Sequence, residues 1–282
     1  MKQYRKTFLA VLIFLGLQFL ASMLGAALQG LGMNATTALS LSLIISGIAT
    51  VILLAYLGIV RLKVLRPTHM KWRLIPLAVA GAFMGIFAMN LISELLPLPD
   101  LMKIDVTAMA YNPLGIISIT LIAPIVEEMV FREGIISSLL RHDFHRWQAI
   151  LVSALAFSIV HLNPAQMPFA FIMGIILGII FAKTGNIVTT AFIHIVNNTL
   201  AIIQLRVFVD KGNEVSFTET LGGPLITAFF ILVSSLICVL CLHDFWKKYH
   251  RGHRLHRRSS SSGGDSSSNP FNNYNKYGLF HK

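Results

Sequence analysis

A chain of 282 residues that is 55% hydrophobic and only 12% charged lacks the surface of a soluble domain, where about a quarter of residues carry charge. Its mean hydropathy of +0.71 instead describes a polytopic membrane protein, and the absence of period-two alternation excludes a barrel. The net charge of +11 lies outside the apolar runs, so it marks the cytoplasmic loops and excludes a nucleic-acid surface.

The first apolar run, Phe8 to about Leu31, follows Lys2, Arg5 and Lys6. It is too long for the roughly 7–15-residue core of a signal peptide and predicts a first transmembrane helix with its N-terminus inside. A second run spans about Thr37 to Val60. The basic loop Arg61, Lys63, Arg66, His69, Lys71 and Arg73 then belongs inside. A third helix runs from about Leu74 to Leu96, carries Glu94 near its outer end and is closed by Pro97 and Pro99. The polar segment Pro99 to Pro113 fits the outside. A fourth helix, about Leu114 to Leu140, exits into Arg141, His142, Asp143, His145 and Arg146, again inside.

The fifth helix, about Gln148 to His161, stops near Asn163-Pro164, a strong breaker. The sixth, about Pro168 to Ala182, carries Gly174 and Gly178, a small-xxx-small spacing read as helix packing. Both are short for a span of about 20 residues, which predicts tilt or an end at an internal cavity. A seventh helix covers about Ile187 to Val207, the loop Asp210 to Gly223 lies outside, and an eighth covers about Pro224 to Leu242. Cys238 and Cys241 in the last helix read as small packing residues. The expected architecture is an all-α bundle of about eight transmembrane helices with both termini cytoplasmic. The membrane domain covers 1–246. The stretch 247–282 reads as a basic, Ser/Gly/Asn-rich disordered tail whose basic part lies near anionic lipid. No internal repeat is visible, which disfavours a transporter built from inverted halves.

Polar residues concentrate in three of these helices. The fourth holds Glu127, Glu128, Arg132 and Glu133, the fifth Phe157 and His161, and the seventh His194, Asn197 and Asn198. Charges at membrane depth cost roughly 2.5–3.5 kcal/mol each, so this coincidence predicts a functional site. Residues four apart share a helix face. Glu128 and Arg132 can therefore neutralise each other, while Glu127, about 100° away, faces elsewhere as a candidate base for water. The histidines can polarise water or bind metal, and Asn198 can donate to an oxyanion. Read singly, each residue has a structural explanation: an ion pair, interhelical hydrogen bonds, or core packing for Phe157. Glu133 has no predicted role. There is no H-E-x-x-H and no G-x-S-x-G.

In order, Glu127-Glu128-Met129-Val130-Phe131-Arg132, Phe157-Ser158-Ile159-Val160-His161 and His194-Ile195-Val196-Asn197-Asn198 match E-E-x-x-x-R, F-x-x-x-H and H-x-x-x-N. Over about 114–200 the chain thus resembles the CPBP intramembrane proteases, also called Abi or type II CAAX-protease-like proteins. The resemblance implies an integral membrane endopeptidase that cleaves peptide or protein substrates in or at the bilayer. It casts Glu127 as the carboxylate that activates water, Glu128 and Arg132 as its support, His161 as its partner on the water, and His194 and Asn198 as oxyanion stabilisers. It leaves two schemes open: a zinc ion held by Glu127, His161 and His194, or a metal-free glutamate-dependent reaction. The short chain and simple loops point to a bacterial cell membrane, where the resemblance implies peptide maturation or bacteriocin self-immunity more than processing of prenylated substrates. The alternatives are a non-catalytic regulatory protein of the same fold and a proton-coupled transporter.

Overall fold

The computed structural model describes residues 5–66, 71–96, 98–101, 106–142, 144–209 and 216–258. The described residues form helices and connecting turns. We number the helices α1 (Arg5–Gly30), α2 (Ala35–Tyr56), α3 (Ile75–Leu95), the short α4 (Val106–Tyr111), the composite α5 (Pro113–Arg141), α6 (Arg146–Ile159), α7 (Met167–Thr184), α8 (Val188–Val209), the single turn α9 (Phe217–Thr220) and α10 (Pro224–Arg258).

Among the described residues, seven helices are long and apolar enough to cross a membrane, where about eight were expected. The exception is α6, the predicted fifth helix. Its 14 residues rise only about 21 Å against a hydrocarbon core of about 30 Å. It ends at Ile159, and just beyond it Leu162 adopts a left-handed conformation, φ 52°, and Asn163-Pro164 follows. The chain is a multi-pass integral membrane protein. The last helix does not stop near Leu242, as hydropathy alone suggests, but continues through the basic stretch to Arg258. The Ser/Gly/Asn-rich stretch after Arg258 lies outside the described residues.

Lipid is as apolar as leucine, so the bundle relies on close approach and internal polar contacts. On α2, Ala38, Ser42, Ser46, Thr50 and Leu54 recur every four residues and all are buried. Ser42 Oγ and Thr50 Oγ1 return hydrogen bonds to the carbonyls of Ala38 and Ser46, at 2.8 Å each, so this face is small and self-satisfied, and α1 packs on it. Gly174 and Gly178 do serve packing: a Cβ on Gly174 would lie 2.9 Å from Ala154 Cα, and one on Gly178 3.0 Å from Ile150. The cysteines behave alike. A Cβ on Gly81 would meet Cys241 Cβ at 2.9 Å, and one on Gly85 would meet Cys238 Sγ at 2.8 Å, forming a seam between α3 and α10. The side chains turned outward, such as Phe19, Leu232 and Val239, are those a bilayer would cover.

Candidate active site

The site is assembled on α5, α6 and α8. Asn112 starts α5 by accepting from Leu114 N and Gly115 N at 2.9 and 3.1 Å, with Pro113 at the first helical position. The helix is not regular. A π-helical turn, Ser118–Ile122, and a longer π-helical segment, Glu128–Ile136, flank the α-helical turn Ala123–Glu127. Such wide turns are rare and recur at functional sites. Pro124 accounts for the first. Ala123 N–H bonds the carbonyl five residues back, at Ser118. The next carbonyl in that register, Ile119, would need an N–H from residue 124, and proline has none. Asn198 fills the vacancy, its Nδ2 donating to Ile119 O at 3.0 Å while its Oδ1 accepts from Asn197 Nδ2 at 3.1 Å.

Just beyond this turn the two adjacent carboxylates meet one imidazole. His194 Nδ1 lies 3.2 Å from Glu128 Oε1, and His194 Nε2 lies 3.5 Å from Glu127 Oε2. The helical angle between Glu127 and Glu128 suggested separate surroundings; instead His194 sits between them. Both ring nitrogens donate only in the imidazolium form. In that form two carboxylates, an imidazolium and the guanidinium of Arg132 sum to zero charge. Arg132 Nε is 3.1 Å from Glu128 Oε2 with both side chains fully buried, which is the expected pair. The arginine is nevertheless poorly satisfied: Nη1 and Nη2 have no hydrogen-bond acceptor among the described residues, and the guanidinium carbon lies 5.1 Å from the centre of the Phe157 ring.

Phe157 is core, as a sequence reading suggests, but it is also the spacer between the motifs. Its ring meets His161 edge-on at 4.9 Å, His194 at 5.9 Å and Phe131 at 5.1 Å. His161 Nδ1 is 2.7 Å from the Phe157 carbonyl. A carbonyl can only accept, so Nδ1 carries the hydrogen and the neutral ring keeps its lone pair on Nε2. The turn after His161 is fastened by the buried Asn163, which donates to Asp100 Oδ1 at 2.9 Å and accepts from Leu101 N and Ala165 N at 3.3 Å each.

The two acids differ in access. Glu128 is fully buried, whereas the Glu127 side chain is 17% exposed. Glu127 borders a cavity of about 70 Å³ whose wall includes Phe14, Gln18, Gly47, Ser118 and Val126. Helices α1 and α2, which read from sequence as generic spans, therefore line the space in front of the acid. Gln18, an amide in the middle of the first span, was the available signal.

Glu133, which sequence left without a role, is the anchor of a second network. It is 1% exposed, receives Arg61 Nε at 2.7 Å and Ser137 Oγ at 2.6 Å, and lies 3.4 Å from Arg141 Nη1. It ties the loop after α2 to the end of α5. For a metal, the expected donors were Glu127, His161 and His194. Among the described residues no three His, Cys, Asp or Glu side chains come together to hold an ion, and both nitrogens of His194 already face carboxylates. That donor set does not fit a metal in this arrangement.

Residues 110–200 match the family model described as "Type II CAAX prenyl endopeptidase Rce1-like". A Bacillus subtilis (strain 168) protein named "Putative membrane peptidase YdiL" is 33% identical over 92 residues, which cover 33% of this chain and 37% of that relative. The chain thus matches little more than a third of the length of that curated relative. No solved structure gives a significant match. The stretch matched by the family model contains Glu127, Glu128, Arg132, Phe157, His161, His194 and Asn198, and over it this chain is similar to the type II CAAX prenyl endopeptidase-like membrane proteins.

Proposed function

We propose that this protein is an intramembrane endopeptidase that uses Glu127 to activate water without a metal ion. The observation that carries the reading is the unequal access of two adjacent acids: Glu127 opens to the cavity while Glu128 is closed in with Arg132 and His194. Glu127 takes a proton from water as the oxygen adds to the peptide carbonyl carbon. The same proton passes to the leaving amine nitrogen as the carbon–nitrogen bond breaks. Glu128, paired with Arg132, holds His194, which steadies the Glu127 carboxylate. In this scheme the second N–H of the Asn198 amide supports the oxyanion and the His161 ring acts on the water. Substrates are peptides or proteins in or at the bilayer, with secreted-peptide maturation or bacteriocin self-immunity as the biological setting.

Glu127→Gln keeps the shape and removes the base. We expect a loss of at least about 10²–10⁴-fold in cleavage with unchanged abundance in the membrane. Comparative proteomics of membrane and medium from cells with the wild type and the variant measures the loss and identifies the substrate. Unimpaired cleavage by the variant overturns the protease reading. Loss of activity in excess chelator with recovery on adding zinc overturns the metal-free scheme.

A further inference from the structure

Chemistry at one peptide bond also requires that the chain on either side of it be held in place. The cavity in front of Glu127 measures about 70 Å³, far too small for a helix about 10–12 Å across. Only an extended stretch of peptide can enter it. Such a stretch bares main-chain N–H and C=O groups that lipid cannot satisfy, so the wall of the cavity has to supply their partners.

Three polar side chains line that wall: Gln18, Ser118 and Glu127. The buried Ser118 is already engaged, its Oγ donating to Gly115 O at 2.9 Å, and Glu127 faces His194. Gln18 is different. Ser46 Oγ donates to its Oε1 at 3.4 Å, which leaves Nε2 with no acceptor among the described residues. An amide nitrogen carries two N–H donors. Packing fixes the depth at which they are offered. One turn earlier on α1, the buried Phe14 meets Phe131 of α5 edge-on, with ring centres 5.7 Å apart. Next to Ser46, α2 is pressed against α5: a Cβ on Gly47 would lie 2.9 Å from Ile122 Cγ2 and 3.2 Å from Val126 Cγ2. The amide is thus held from α1 and α2 at the edge of the cavity that Glu127 borders from α5.

We propose that Gln18 is a substrate-binding residue: its Nε2 donates to a main-chain carbonyl of the extended peptide beside the scissile bond, and Ser46 orients the amide for that contact. The role rests on the endopeptidase reading for the bond that is cut, and on the cavity wall alone for the peptide that is bound. A contact to main chain does not read side chains, so Gln18 serves any peptide that can unwind into the cavity.

The test uses the full chain in phosphatidylcholine vesicles and a pool of fluorescent synthetic peptides, each about 20 apolar residues long with a randomised centre. Cleavage is read by mass spectrometry and binding by anisotropy. Gln18→Leu keeps the bulk and removes the donor. It should raise KM about tenfold with kcat little altered, the mark of a contact made equally before and during the reaction. In a Glu127→Gln chain, which binds peptide uncut, adding Gln18→Leu should weaken binding about tenfold. Ser46→Ala frees the amide to turn and should weaken binding about threefold, so it remains informative if Gln18→Leu fails to fold. Unchanged KM and binding in Gln18→Leu overturn the role. A lower thermal midpoint with unaltered binding makes Gln18 a packing residue and overturns it too. Gln18-dependent binding without cleavage by the wild type leaves the peptide site standing and overturns the endopeptidase reading instead.

Discussion

Removing either member of the Glu128–Arg132 pair should damage the protein more than removing both. Breaking a buried ion pair by deleting one partner costs roughly 3–5 kcal/mol, because the other charge is left uncompensated. The structure ranks the two deletions. After Arg132→Ala, Glu128 retains His194 Nδ1 at 3.2 Å. After Glu128→Ala, Arg132 loses its ion-pair partner, and its Nη atoms have none to begin with. Glu128→Ala should therefore be the worse variant, at the upper end of that range. The double variant Glu128→Leu with Arg132→Met removes both charges and fills much of the space. Such replacements are often neutral or stabilising, so it should recover most of the loss. At about 2–4 °C per kcal/mol for a chain of this order of size, the single variants should melt roughly 10 °C lower. Thermal scans of the detergent-purified protein by tryptophan emission, run on the wild type, Glu128→Leu, Arg132→Met and their double variant beside the two alanine variants, measure the coupling. A double variant whose loss equals the sum of the singles would refute the pairing argument. Arg132→Ala falling below Glu128→Ala would refute the assignment of His194 as the second partner of Glu128.

Pro124→Ala restores an N–H able to reach Ile119 O and makes Asn198 redundant there. It should leave thermal stability unchanged or higher by about 1 kcal/mol while lowering cleavage at least tenfold, read by parallel melting and substrate assays. Glu133→Ala leaves Arg61 and Arg141 facing each other. It should reduce membrane abundance through a loss of about 3 kcal/mol, and immunoblotting of membranes checks this. Asn163→Ala should free the segment around Leu98–Leu101 and speed its cleavage by added protease in sealed vesicles, with little change at other sites; an unchanged digestion pattern would count against the tether.

Hydropathy made most helices legible, because spans of about 20 apolar residues have few other uses. It overcounted at α6, where run length and helix length differ: Leu162 in a left-handed conformation and Asn163-Pro164 end the helix early. The Glu128–Arg132 contact was readable because both lie on one helix four residues apart. What spacing could not supply was anything set by another segment. Glu133 finds Arg61 across 72 positions, and His194 is brought between two acids that a regular helix separates by about 100°. The π-helical turns were half visible. Pro124 in mid-helix announces a lost hydrogen bond, but not that Asn198 makes it good. Gln18 reaches the wall of the cavity from a helix that composition alone marks as filler.

The Gly81–Cys241 and Gly85–Cys238 seam has a practical consequence. The two thiols are the only ones in the chain, and Cys238 is sealed in place by a glycine with no room for even a methyl group. Its alkylation rate is therefore a gauge of the gap between α3 and α10. A working cycle that keeps this gap shut leaves Cys238 unlabelled during turnover, and the breathing that admits substrate then belongs to the α1–α2 side. A cycle that parts the two helices exposes the thiol at the same frequency.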